Sequence, residues 1–148
     1  MTTNRQFCTF FVDDLFFGVD VQEVQEVFRF EPMTRVPLAP PVVRGLINLR
    51  GQIVTALDMR SRLGIPPRNG DTPPMNVVVR TDDGCVSFLV DEIGDVLEVD
   101  DAQCERPPET LTGVARELVR SVYKLRGRLL LSLDVAKTVA QCATAGAV

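Results

Sequence analysis

Short apolar runs, each bounded by turn-forming residues, dominate the chain. Residues 46–49 and 53–57 form two such runs, too short for helices and rich in branched side chains, which favours β-strands. Arg50-Gly51 lies between them, and glycine tolerates the positive φ of a tight turn, so the segment predicts a β-hairpin. The same pattern predicts strands in the ranges 7–12, 15–19, 26–30, 46–49, 53–57, 75–81, 85–91, 96–99, 119–125 and 129–133.

Helical patterns are confined to the joints between strands. Asp20, Asp58 and Asp134 each precede a short stretch with helical features, and aspartate is a favoured N-cap. Many short strands with helices only at the joints predict an all-β barrel or sandwich. The supporting residues are Val21, Val24 and Val27 in the first joint, Gly64 as a stop in the second, and Val135, Val139 and Cys142 in a C-terminal helix.

The chain contains an internal repeat. Residues 43–59 and 119–135 match without a gap at a shift of 76, with seven of the seventeen positions identical. We therefore expect two small barrel halves, residues 1–74 and 75–148, between which strands can be exchanged. The boundary lies in the proline-rich stretch 66–74, and an apolar seam joins the halves because units this small are marginally stable alone. The alternative is that two unrelated hairpins converged on similar turn chemistry.

Composition narrows the function to binding. The net charge is −4 and the chain has no histidine, which excludes catalysis by Ser-His or Cys-His pairs and His-ligated metals. An acidic chain is a poor partner for nucleic acid or anionic membrane. No nucleotide-binding motif or metal-ligand spacing occurs, and no apolar run is long enough for a membrane span. We expect no catalytic residue, no cofactor, no metal, and a cytoplasmic protein with reduced cysteines.

Arg50, at the tip of the first predicted hairpin, is a candidate recognition residue. The proline-rich stretch 37–41 gives this hairpin a stiff, extended entry. The guanidinium group is a planar fork of donors that suits a carboxylate or a pair of carbonyls. We expect Arg50 to fold back toward Glu26, and the alternative is an ordinary solvated turn residue.

One motif of the chain is highly specific: Asn48-Leu-Arg-Gly51 followed by Leu57-Asp-Met-Arg60. With the motifs given below, it resembles the CheW family of chemotaxis coupling proteins, from about residue 7 to residue 139. Thr55-Ala56 departs from the family, which usually has a proline followed by an apolar residue there, and the tail past Cys142 has no clear counterpart. The other matching motifs are Phe17-Gly-Val-Asp20, Val24-Gln-Glu-Val27, Thr34-Arg-Val-Pro37, Leu89-Val-Asp91 and Gly94-Asp-Val96.

The resemblance implies two intertwined SH3-like five-stranded β-barrels with short helices. It also implies a non-enzymatic adaptor that joins the cytoplasmic hairpin tips of methyl-accepting chemoreceptors to the regulatory domain of a CheA-type histidine kinase. Such an adaptor is cytoplasmic and reaches membrane receptor arrays only through its partners.

The resemblance also implies two binding surfaces. The receptor tip is expected in a groove between the barrels, and the kinase at the outer edge of the first barrel. Phe28 and Phe30 alternate with Arg29 and Glu31 along one strand, so one set faces the core and the other, with Met33 and Val36 as apolar anchors, can face the kinase. The alternative is that all these apolar residues belong to the core. The receptor residues are Val24, Val27, Asn48, Arg50 and Val96; the kinase residues are Phe28, Phe30, Met33 and Val36; the supporting residues are Glu26, Gly45, Gly51 and Asp58.

Three other functions stay open from the sequence. The same adaptor could serve a pilus, gliding or biofilm signalling branch, or the β module could sense a small molecule. A redox-switch enzyme would need an activated thiol, and no cysteine has a basic neighbour in sequence.

Overall fold

A computed structural model describes residues 4–29, 32–67, 73–82 and 84–146, with side chains to residue 140. Phe30, Asp83 of the second predicted hairpin turn, Asn69-Gly70 of the proline-rich stretch, and the side chain of Cys142 lie outside the described part. The strands are β1 (Asn4–Val12), β2 (Leu15–Asp20), β3 (Val24–Phe28), β4 (Val43–Leu49), β5 (Gln52–Asp58), β6 (Met75–Thr81), β7 (Gly84–Val90), β8 (Glu92–Asp100), β9 (Cys104–Glu105), β10 (Val119–Leu125) and β11 (Arg128–Leu133). The α-helices are α1 (Met59–Leu63), α2 (Gly113–Leu118) and α3 (Val135–Gly146), and 3₁₀ turns span Val21–Glu23 and Asp101–Gln103.

Two sheets form the fold, and each contains strands from both ends of the chain. The six-stranded sheet has the order β8-β1-β2-β11-β10-β9, and the five-stranded sheet has the order β3-β6-β7-β5-β4. The parallel contacts β2–β11 and β5–β7 join hairpins that are far apart in sequence. The prediction of an all-β, SH3-like fold is confirmed. The six-stranded sheet has one strand more than predicted because Cys104–Glu105 pairs with β10.

The two hairpins of the repeat have the same register. Leu46 pairs with Thr55 in the first, and Val122 pairs with Leu131 in the second, which are equivalent positions at the shift of 76. Each hairpin also has a bulge at the same place, between Val43 and Gly45 in β4 and at the equivalent position of β10. The prediction that these segments are equivalent hairpins is therefore confirmed.

Polar contacts at the base of the hairpins repeat as well. An ion pair joins Arg44 to Asp58 at 3.6 Å, and its equivalent joins Arg120 to Asp134 at 3.8 Å. Both aspartates also cap the helix that follows, since Asp58 accepts from the Arg60 N–H and Asp134 from a backbone N–H of α3. The same residue type thus closes the hairpin and starts the helix in both halves.

One apolar core spans both sheets. Phe10 and Phe17 of the six-stranded sheet belong to the same buried cluster as Leu57 and Phe88 of the five-stranded sheet. Full burial of side chains of this size is worth roughly 1.5–3 kcal/mol each. Residues before and after the proline-rich stretch 66–74 therefore share one buried core.

Three further features differ from the sequence prediction. The valine spacing predicted a short helix after Asp20 that leads into a strand near residue 26, and the structure has this order, but the helix is limited to Val21–Glu23 and the strand already begins at Val24, which pairs with Val79. Pairing with an available strand edge satisfies the backbone of β-branched residues better than a longer helix would. Strand β8 is longer than predicted, and helix α2 was not predicted.

Candidate functional site

The tip of the β4–β5 hairpin has an uncommon backbone. Arg50 has φ 52° and Gly51 has φ 88°, and positive φ at both central residues is typical of a type I′ turn. Asn48 supports the turn, because its Oδ1 accepts a hydrogen bond of 3.0 Å from the Gly51 N–H. In the second hairpin Gly127 has φ 82° but Arg126 is outside the left-handed region, which is typical of a type II turn.

The Arg50 guanidinium pairs with the Glu26 carboxylate, as predicted. Arg50 Nη2 donates to Glu26 Oε2, so the residues form a hydrogen-bonded ion pair. A bulge between Val24 and Glu26 interrupts the pairing of β3 with β6 beside Glu26. The Arg50 side chain is 72% exposed and that of Glu26 is 25% exposed, so the pair contributes only about 0–1 kcal/mol. Its effect is to fix the direction of Arg50.

Gly45 allows the segment before β4 to lie against that strand. A Cβ on Gly45 would meet the Thr34 carbonyl oxygen at 2.7 Å and the Met33 Cβ at 3.0 Å. Thr34 makes two backbone hydrogen bonds with Leu46, of 2.9 and 2.8 Å. Residues 33–36 are therefore held along the outer edge of the five-stranded sheet.

The three candidate kinase residues in the described part of the chain, Phe28, Met33 and Val36, are partly exposed. Phe28 is half-buried at the end of β3, opposite Asn76, and Val36 is exposed. Met33 packs against a small core cluster that includes Ile47 and Leu89. The structure therefore gives Met33 packing contacts and leaves Val36 accessible.

The candidate receptor residues lie on both sheets. Val24 is half-buried against the main core, whereas Val27 is 43% exposed on edge strand β3. Val96 is 58% exposed on β8, the edge strand of the other sheet. Among these residues, the structure brings Asn48 and Arg50 together in one turn.

Leu38 was not predicted as a site residue. It is fully exposed, has φ 65°, and lies in a turn closed by the hydrogen bond from Ala39 N–H to Val36 O at 3.3 Å. Pro37 sets up such a turn, but glycine or asparagine is the usual residue after it. The dipeptide Pro37-Leu38 was therefore the only local signal of an apolar side chain presented to solvent.

An ion-pair network centres on Arg60 in α1, the helix that follows the β4–β5 hairpin. Arg60 of α1 donates from Nε and Nη2 to the Asp91 carboxylate, at 2.9 and 2.7 Å. Asp91 Oδ2 also accepts from the Asp13 N–H at 2.7 Å, in the β1–β2 turn. The hydrogen bond to Asp91 raises the pKa of Arg60, so this guanidinium stays charged. The network links the β1–β2 turn of the six-stranded sheet to α1, which follows β5 of the five-stranded sheet.

The described residues offer little for chemistry. Burial, together with the charge of Asp20, raises the pKa of the Cys8 thiol, which disfavours the reactive thiolate. In the part of the chain that is described, no cluster of three metal-ligating side chains occurs. Every helix within the described ranges is too short or too polar to cross a bilayer. The arrangement presents exposed side chains on ordered strands, which suits protein binding.

Comparison with known proteins decides the family. The family model described as "CheW-like domain" matches residues 6–142. The chain belongs to the CheW family. A chemotaxis protein CheW of Rhizobium meliloti (strain 1021) is 30% identical over 131 residues, covering 88% of this chain and 84% of that protein. CheW of Thermotoga maritima is 32% identical over 136 residues, covering 88% and 85%.

A solved structure agrees on the fold. The scaffolding protein TtCheW from Thermoanaerobacter tengcongensis has a TM-score of 0.79 at 24% identity, covering 88% of this chain and 89% of that chain. As a CheW-family protein, the chain is a chemotaxis scaffold or adaptor and not an enzyme.

Proposed function

We propose that this CheW-family adaptor couples chemoreceptor cytoplasmic tips to the regulatory domain of a CheA-type histidine kinase, through two separate surfaces. The observation that carries the proposal is the fixed Arg50 turn. Its backbone, its Asn48 hydrogen bond and its Glu26 ion pair all hold one exposed guanidinium in place. The proposed partners place the adaptor in the cytoplasm.

The receptor surface consists of Val24, Val27, Asn48, Arg50 and Val96. Val27 and Val96 supply exposed apolar area on two edge strands, and Arg50 supplies a directed donor. Apolar contact around an oriented arginine is typical of the residues that dominate binding energy. The halves 1–74 and 75–148 would both contribute, since Val96 belongs to the second.

The kinase surface consists of Phe28, Phe30, Met33 and Val36. The segment that carries Met33 and Val36 is held on β4 by the Thr34 hydrogen bonds, so it presents Val36 from a rigid base. Exposed Leu38, two residues further on, extends the apolar area of this surface.

A pair of variants tests the two surfaces. Arg50→Glu should lose the receptor fragment and keep the isolated kinase regulatory domain, and Val36→Asp should do the opposite, measured by calorimetric titration of each partner. Both positions are exposed, so both variants should stay folded. Lys137→Glu and Ala136→Asp, at exposed positions of α3, are the charge-matched controls. If each folded variant lost both partners, or neither, the proposal would be wrong.

A further inference from the structure

The tip of the second hairpin carries a group of cations that form no ion pair with any carboxylate in the described part of the chain. Lys124, Arg126 and Arg128 are all exposed, and residues 118–133 contain no acidic residue. The chain as a whole has a net charge of −4, so this local positive charge is opposite in sign to the net charge of the chain. We call these three residues the basic tip.

The first hairpin has the same scaffold without this charge. At the shift of 76, Asn48, Arg50 and Gln52 are the equivalents of the three cations. The single cation there is neutralised by Glu26. In the described part of the chain, no ion pair involves any residue of the basic tip. The two tips therefore differ in charge although the strands of their hairpins have the same register.

Aromatic rings hold part of the basic tip in place. The Arg128 guanidinium lies over the Phe16 ring, 4.9 Å from its centroid, and 5.7 Å from that of Phe11. Phe11 and Phe16 are paired across β1 and β2, with ring centroids 4.8 Å apart. Contact of this kind restricts the arginine before binding and leaves its donors free for a planar anion.

Neighbouring carboxylates do not neutralise the basic tip. Glu92 is paired opposite Phe11, and Glu105 opposite Val122, on the strands that flank the hairpins. Neither forms an ion pair with Lys124, Arg126 or Arg128. The charge of the tip is therefore available to an external group.

We propose that the basic tip binds a short acidic segment of a partner protein, as a surface separate from the two in the proposed function. Lys124 and Arg128 lie on opposite faces of the hairpin, because Arg128 pairs with Leu125, so a segment that crosses the tip meets all three cations. Such a segment senses mainly these cations, because charges more than about 8 Å away are screened at physiological salt. An extended polyanion, such as an anionic bilayer or nucleic acid, would also meet the rest of a chain whose net charge is −4 and be repelled. Local charge complementarity thus favours carboxylate groups on a peptide.

Titration with a model peptide tests the proposal. The probe is a fluorescently labelled peptide in which glutamate alternates with glycine, followed by anisotropy at about 25 mM and about 150 mM salt. The control peptide has glutamine in place of glutamate. The wild-type chain should bind only the glutamate peptide, and Lys124→Gln/Arg126→Gln/Arg128→Gln should bind it at least about tenfold more weakly.

A charge-matched variant separates a local site from overall charge. Arg5→Gln/Arg80→Gln/Lys137→Gln removes the same charge from exposed positions elsewhere and should keep peptide affinity within about twofold. Circular dichroism confirms that both triple variants are folded. Equal weakening of both variants, no binding at low salt, or equal binding of both peptides would overturn the proposal.

Two further readouts exclude other occupants. Vesicles with anionic lipid should bind the wild-type chain no better than neutral vesicles, and sedimentation velocity should show no low-salt dimer that the basic-tip variant abolishes. Either positive result would assign the tip to a bilayer or to a second copy and overturn the proposal. Neither readout involves the receptor or the kinase, so the outcome is independent of the proposed function.

Discussion

Arg50 and Arg126 occupy equivalent positions but have different backbones. A non-glycine residue in the left-handed region costs roughly 1–2 kcal/mol, and of these two arginines Arg50 is in that region and Arg126 is not. Two contacts present only in the first hairpin offset this cost: the Asn48 hydrogen bond and the Glu26 ion pair. The first turn therefore carries strain together with the contacts that hold a side chain in one direction.

Glycine substitutions at the two turns should have different effects. The entropic cost of glycine, about 0.5–1 kcal/mol, applies at both positions. At Arg50 the relief of left-handed strain, about 1–2 kcal/mol, offsets this cost and the loss of a surface ion pair worth about 0–1 kcal/mol, so the free energy of unfolding should change little. Arg126→Gly has no strain to relieve and should lower it by about 0.5–1 kcal/mol. Urea unfolding measures both values. A larger loss in Arg50→Gly than in Arg126→Gly would contradict this account.

Glu23 should make stability depend on pH. Burial, partly opposed by Arg120 and reinforced by Asp20 and Asp134, raises the pKa of Glu23 above 4.5. A raised folded pKa favours folding at low pH, and this contribution is lost as pH rises through the folded pKa. Glu23→Gln should therefore raise the melting temperature relative to wild type at about pH 7 more than at about pH 4. Glu109→Gln, at an exposed loop position, is the control; a larger gain at the acidic pH would contradict the prediction.

Local patterns predict elements when the elements are regular. The β4–β5 and β10–β11 hairpins were predicted because alternating apolar residues flank a glycine turn. Helix α2 was not predicted, since Thr112 makes no side-chain cap and Gly113 begins it. The ion pair of Arg50 with Glu26 was predicted, but Leu38 was not, because its turn conformation normally belongs to glycine or asparagine.

Gly45 should resist even the smallest substitution. In Gly45→Ala the new Cβ would collide with the Thr34 carbonyl oxygen at 2.7 Å, which is backbone and cannot rotate away. We expect a loss of about 1–3 kcal/mol in the free energy of unfolding, and faster hydrogen exchange at the Leu46 amide. Ser121→Ala, the equivalent position of β10, is the control and should change stability by less than about 0.5 kcal/mol. A neutral Gly45→Ala would show that residues 33–36 are not held as described.

The Asp91 network should stabilise the contact between elements of the two sheets. Asp91 and Arg60 are 11% and 16% exposed, and Asp91 also bonds the Asp13 N–H. Asp91→Asn removes the carboxylate that accepts from Arg60 Nε and Nη2 and leaves Arg60 only the ion pair with Asp13 at 3.6 Å, which should cost about 1–3 kcal/mol. Thermal melting checks this, with exposed Asp14→Asn in the same β1–β2 turn as the control. Equal melting temperatures for both variants would show that the Asp91 network does not stabilise the fold.

The order of strands in the two sheets is a property of the whole molecule. Periodicity shows which residues face a core but not which strand lies alongside, so the sequence left open how the halves share strands. In the structure, β1 and β2 lie beside β10 and β11, and β6 and β7 lie beside β4 and β5. Each sheet therefore contains hairpins from the first and the second part of the chain. These hairpins meet at the parallel contacts β2–β11 and β5–β7.

Separated halves of the chain should fold only together. A fragment of residues 1–74 lacks β11, which pairs with β2, and β7, which pairs with β5. Buried Phe17 and Leu57 would therefore be exposed. Each such exposure costs roughly 1.5–3 kcal/mol, which a half-chain cannot recover.

We expect residues 1–74 and 75–148 to be unfolded alone by amide NMR dispersion and to regain the dispersed spectrum on mixing, whereas the intact chain unfolds in one transition. The Phe17→Asp fragment, which disrupts the β2–β11 contact, should fail to complement. A dispersed spectrum from either fragment by itself would mean that the halves are independent domains, and the shared core would then not be what holds the molecule together.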